Sequence, residues 1–171
     1  MSNYAIWLFL QLLDDYEPAL VDIIISYLPK NIKLRIKVNM WCNPSSRMKC
    51  EDEFGHISVW DVSGITDMAY LFMNCKTFND DISRWDVSSV SNMMFIFYNC
   101  YNFNQPLNSW DVSNVINMKE MFEYAIAFNQ PLYSWNVSNV KTMKWMFYRA
   151  KYFNQPETFK HFEKYTTNKL M

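Results

Sequence analysis

Asp61, Asp86 and Asp111 recur at a spacing of 25 residues, and a row of stacked carboxylates is the arrangement a hard cation such as calcium takes as ligands. The fourth member of the series is Asn136 and no glycine-rich Asp motif accompanies the row. Each Asp instead stands two residues before a Ser, where its carboxylate accepts from the backbone of a turn. Like charges ~5 Å apart would repel by about 1 kcal/mol in water and several times more at lower effective dielectric, which turn donors offset. The two histidines, His56 and His161, share no local motif with a Cys or a carboxylate, so neither reads as part of a nucleophilic site. Gly55 and Gly64 are isolated, whereas phosphate-cradling loops need clustered glycines. No catalytic, cofactor-binding or metal-binding residue is assigned, and the chain is expected not to be an enzyme.

The four cysteines, Cys42, Cys50, Cys75 and Cys100, form no CxxC pair. Cys75 and Cys100 hold one position in a repeat that Ala125 and Ala150 fill later, so they are expected to be small buried side chains rather than a disulfide. A reducing setting follows. The sequence Asn136, Val137, Ser138 matches a glycosylation acceptor only because Asn136 replaces the repeated Asp.

These residues sit in a chain of 171 residues with 50% apolar composition, enough for a core, and a formal net charge of -1. That charge gives no reason to expect nucleic acid or anionic lipid as a partner. The longest apolar run, residues 5–13, is too short for a bilayer span and lacks the flanks of a signal peptide, so no transmembrane segment and no secretion are expected.

The elements that must position the side chains come from repetition. WDVS or WNVS begins at Trp60, Trp85, Trp110 and Trp135, and Val62, Met68, Phe72 and Phe78 each recur with the same period. A fixed period of this size indicates stacked units. Around each Trp, the apolar positions between Pro106 and Ser113 suggest a short strand, and Val115, Met118, Phe122 and Ala125 share one face of a three-turn helix. Asn79, Asn104, Asn129 and Asn154 are expected to form a polar ladder whose amides bond neighbouring turns. Three domains are expected: a helical cap and transition over 1–55, four repeats over 56–156 and a C-terminal cap over 157–171, where Phe159 and Phe162 cover the last unit. In the cap, two short helices are read, the second opening near Pro18 and ending at Pro29.

On the helical reading, Glu120 and Glu123 point away from the core, and the equivalent positions elsewhere carry Tyr70, Phe95 and Trp145, then Met73, Tyr98 and Tyr148. Tyr70, Phe95, Tyr98, Trp145 and Tyr148 are therefore the candidate protein-binding residues. The same rings could instead pack on their neighbours.

The string WDVSNVINMKEMFEYAIAFNQPLYSW resembles the repeat of the BspA-like leucine-rich-repeat proteins, seen in surface lipoproteins of some bacteria and in proteins of large DNA viruses and protists. The resemblance spans roughly residues 57–156. It implies an α/β fold, a short leucine-rich-repeat-like solenoid of strand–helix units with an N-terminal helical cap, that binds other macromolecules without catalysis. With no secretion signal or lipid-anchor cysteine recognised, it points to an intracellular or virus-encoded member. The run EPALVDIIISYLPKNIKLRIKVNMW, residues 17–41, looks like the core of an F-box, which would recruit a ubiquitin ligase while the repeats hold a substrate. A capping helix pair explains the same residues. The function expected is a non-enzymatic protein–protein interaction module without cofactors, an F-box adaptor or a structural component of a virus particle or other assembly being the alternatives. The partner is a protein, with homo-oligomerisation open.

Overall fold

The computed structural model describes residues 23–165. The apolar run at 5–13 and the start of the helix read from Pro18 lie outside them. Helix α1, Lys30–Cys42, is followed by α2, Arg47–Phe54, and by a single tight turn of 3-10 helix at Ile57–Val59. Four turn-built coils then succeed one another over residues 60–155, and α3, Pro156–Glu163, follows the last.

The expected α/β architecture of strand–helix units is overturned. Among the described residues the only β pairings are three isolated parallel bridges, Asp67 to Asn92, Asn92 to Asn117 and Asn117 to Thr142, and no sheet forms. Where a three-turn helix was read, residues 118–125 make a chain of tight turns, with Met121, Glu123 and Ala125 donating to the carbonyls three residues back. The cause is backbone handedness. Glu120 (φ 55°) and Tyr124 (φ 57°) are left-handed, as are Tyr70, Asn74, Phe95, Asn99, Trp145 and Arg149 at the same positions of the other coils. Such residues cannot continue an α-helix, and each costs roughly 1–2 kcal/mol.

With two left-handed residues per coil, four apart, every second amide of this stretch faces the next coil. Met68, Tyr70, Phe72 and Asn74 donate to Asn92, Met94, Ile96 and Tyr98 at 2.9–3.0 Å. Met93, Phe95, Phe97 and Asn99 repeat the pattern onto Asn117, Lys119, Met121 and Glu123, and Met118, Glu120, Phe122 and Tyr124 onto Thr142, Lys144, Met146 and Tyr148. Four bonds at each of three junctions, in a register no single residue can leave, offset the strain.

The interior is built in columns. Phe72, Phe97, Phe122 and Phe147 stack at centroid distances of 5.4–5.6 Å, beside a second column, Phe78, Phe103, Phe128 and Phe153, at 5.6–6.0 Å. The indoles of Trp85, Trp110 and Trp135 are buried, and each donates its Nε1–H to a carbonyl 28 residues back: Ile57 in the 3-10 turn, then Ile82 and Leu107 in the preceding coils, at 2.8–3.1 Å. Thus the Trp both fills space and has its polar atom paired. Asn79, Asn104 and Asn129 each accept the backbone N–H of the next Asn of the series at 2.8–2.9 Å, forming a polar ladder.

Helix α1 covers the first coil. It runs through the stretch read as a transition, beginning just after Pro29, where the sequence reading had ended a helix. Its period is masked because Arg35 is buried together with Leu34, Ile36, Val38 and Trp41. The Arg35 guanidinium donates to the carbonyls of Ala69 (2.6 Å) and Asp67 (3.3 Å), the counterparts of the Met94 and Asn92 carbonyls that accept from a preceding coil. One side chain thus takes two of the four carbonyls that a preceding coil would bond. Lys30 adds an ion pair to Asp61, and Trp41 Nε1 and Arg47 both donate to Asp80. At the far end, α3 buries Phe162, lays Phe159 edge-on to Phe147 and Phe153, and receives the Leu132 N–H on Thr158 Oγ1.

Candidate interaction face

The left-handed positions that break the helix recur at the same two places in every coil. At the first of them the coils carry Tyr70, Phe95, Glu120 and Trp145, at the second Asn74, Asn99, Tyr124 and Arg149. Tyr70 stacks on Phe95 with centroids 5.1 Å apart, and Phe95 meets Tyr98 edge-on at 5.4 Å. The row continues from Tyr98 to Tyr124 (5.9 Å), Tyr124 to Tyr148 (6.4 Å) and Tyr148 to Trp145 (6.4 Å). All five candidate residues thus fall on one face, joined by Tyr124, which sequence reasoning left out. They are unequally open: Trp145 and Tyr148 are 45% and 48% exposed, Tyr70 36%, and Phe95 and Tyr98 are half-buried.

Glu120 and Glu123 do not point away as the helical reading required. Both are buried within this face. Glu120 interrupts the ring column, and Lys119, 3.1 Å from its Oε1, reaches over Phe95 on one side and Trp145 on the other. An ion pair therefore replaces the missing ring. Burial first, then a hydrogen bond with Glu120 and its charge, pushes the Glu123 carboxyl up to about 7, and its Oε2 is buried without a partner. Burial and the Glu123 charge raise the Tyr98 phenol. Arg149 lies over Tyr124 and Tyr148, and Lys144 over Trp145. The identity of these cations is legible in the sequence, but their position over rings depends on the left-handed turns and was not.

The carboxylate row on another side of the stack is locally satisfied. Asp61, Asp86 and Asp111 accept from the N–H of Ser63, Ser88 and Ser113 at 2.9–3.1 Å, and Asn136 does so from Ser138. Serine hydrogen bonds hold Asp86 and Asp111 below the usual carboxylate range, and Lys30 leads the same effect on Asp61. Among the described residues no group of three or more His, Cys, Asp or Glu is arranged to hold a metal ion. His56 bonds to Ser58, and His161 Nε2 lies 2.8 Å from the Trp135 carbonyl.

All four thiols are free. Cys100 is fully buried and donates to the Phe72 carbonyl at 2.8 Å. Cys75 is only half-buried, against the expectation for it, because it lines an open cleft of about 350 Å³ between the end of α1 and the first coil, opposite Cys42. A hydrogen bond with Cys75 and burial push up the Cys42 thiol, which disfavours the thiolate needed for reactivity.

No helix among the described residues is long and apolar enough to cross a membrane. The F-box resemblance finds no support in the family comparison. No curated protein and no solved structure matches the chain. A family model described as "Mycoplasma protein of unknown function, DUF285" matches residues 44–162, all four coils and well over half the chain, in coarse agreement with the BspA-like resemblance, and the chain belongs to that family.

Proposed function

We propose that the chain is a non-enzymatic protein-binding module whose contact surface is the face formed by Tyr70, Phe95, Tyr98, Trp145 and Tyr148. The observation that carries this reading is the continuous row of partly exposed rings, from Tyr70 to Trp145, mounted on coils that four backbone bonds per junction hold in place. Rings fixed in advance bury large area on a partner at little conformational cost, and Tyr and Trp dominate interface energetics for that reason. The cations over the rings favour a partner surface with acidic groups at its rim. Four free thiols support a reducing compartment, inside a cell or in a virus-encoded setting.

The test is affinity capture from native cells or particles with the tagged chain beside a Tyr98→Ala, Trp145→Ala, Tyr148→Ala variant of unchanged circular dichroism. Specific proteins held by the first and lost by the second are expected. An identical set on both would remove this face from the function.

A further inference from the structure

Among the described residues, the last coil ends the backbone ladder with its donors unused. In the three coils before it, the amides of the ladder positions donate to the next coil; among the described residues no acceptor meets their counterparts, the N–H groups of Met143, Trp145, Phe147 and Arg149. Helix α3 does not supply one, because its Phe159, Thr158 and His161 are engaged with Phe147 and Phe153, with the Leu132 N–H and with the Trp135 carbonyl, and its Phe162 is buried in the core. Exposure agrees. Glu120, Phe122 and Glu123 in the third coil are buried, whereas their counterparts Trp145 and Tyr148 are 45% and 48% exposed and Phe147 is only half-buried.

An open row of amides is a template for another backbone. A second copy of this chain fits poorly: two donor rows cannot pair, and at the acceptor end Arg35 of α1 takes two of the four ladder carbonyls, those of Asp67 and Ala69, so no full row is left to receive four donors. The occupant must bring carbonyl oxygens at alternate residues. Its charge is set by the flank, since Lys144 and Arg149 lie within the row, Lys141 and Lys151 adjoin it in sequence, and residues 137–156 contain no Asp or Glu.

We propose that this edge docks an acidic segment of a partner protein, whose backbone carbonyls pair with Met143, Trp145, Phe147 and Arg149 while its carboxylates meet Lys144 and Arg149. The inference rests on the protein-binding reading above and names the partner's chemistry. Apolar side chains of the segment lie on Trp145 and Tyr148, continuing the ring row.

The probe is a synthetic peptide of residues 115–126, which carries Glu120 and Glu123 and whose carbonyls at Asn117, Lys119, Met121 and Glu123 already accept such a row from the second coil. Added to the ¹⁵N-labelled full chain, it is expected to cause saturable shifts at the amides of Met143, Trp145, Phe147 and Arg149. Binding should weaken about threefold or more when both peptide glutamates become glutamine or when NaCl is raised to ~0.5 M. A Lys144→Glu, Arg149→Glu chain with unchanged spectra for the first three coils should lose the shifts. Absence of shifts at millimolar peptide, shifts confined to other coils, or binding indifferent to both charge changes would overturn the proposal. Proteins captured in a Tyr98-dependent way alongside such a failure would sink the docking edge alone, whereas loss of both would sink the protein-binding reading as well.

Discussion

Trp110 is 3% exposed with its Nε1 on the Ile82 carbonyl, and Trp145, one coil further and ten residues along, is 45% exposed with no such bond. Truncating the first leaves a cavity in a core that each coil shares only with its neighbours, while the Ile82 carbonyl keeps the Trp85 N–H. Trp110→Ala should therefore cost about 3–5 kcal/mol and Trp145→Ala less than about 1, read from urea unfolding. Arg149 sits at φ 59°, where the first two coils place Asn74 and Asn99. Asn tolerates that region better than Arg, so Arg149→Asn should raise stability by up to about 1 kcal/mol, with thermal unfolding as the measure. Glu123 carries a pH signature. Its carboxyl rises from 4.5 to about 7 on folding, so its contribution is complete below pH 4.5 and is lost as the pH rises toward 7, the unfolded chain releasing the proton first. Across that window the urea midpoint of the wild type should fall while that of Glu123→Gln stays flat. Asp86 and Asp111 have the opposite sign, their lowered values giving stability that is lost only as the pH drops below the ordinary carboxylate range.

Among the elements, α1 does the most specific work, because its buried Arg35 takes two of the four carbonyls at the acceptor end of the ladder. Arg35→Ala leaves two carbonyls in need of donors at a buried surface and should cost about 1–3 kcal/mol, with faster amide exchange concentrated in the first coil. Lysine at the same site should recover only part of this, since its ammonium cannot span both carbonyls as the planar fork does. This helix was hard to read in the sequence for the same reason. Leu34, Ile36 and Val38 flank a charged residue that a pattern argument sends to solvent, and only the unpaired carbonyls of Ala69 and Asp67 explain why it goes inward. The turns after Asp61, Asp86 and Asp111 were legible, because a carboxylate two residues before its donor is a local device that needs no tertiary context. The segment from Val115 to Ala125 misled for the converse reason. Apolar residues at helical spacing also suit a run of tight turns whose every third or fourth side chain faces inward, and left-handed Glu120 and Tyr124 announce nothing in a sequence, since neither is Gly or Asn.

At the scale of the molecule, the period of 25 residues and the identity of the columns could be read directly, as Phe72, Phe97, Phe122 and Phe147 stacking in order shows. What joins the coils could not, since backbone bonds leave no residue signature, and neither could the buried Glu120 and Glu123 or the last coil's ladder amides, which meet no acceptor among the described residues. Those features follow from one claim: alternate residues of each coil donate to the next, in place of a strand and a helix. Amide hydrogen exchange across residues 143–150, followed by NMR on the free full chain, tests it most directly. Fast exchange at Met143, Trp145, Phe147 and Arg149, interleaved with protected Met146, Tyr148 and Ala150, which bond to the carbonyls of Met143, Trp145 and Phe147, is the expected result. Unbroken protection from Met146 to Ala150, as the later turns of a helix would give, would contradict both the turn-built coil and the open edge it leaves.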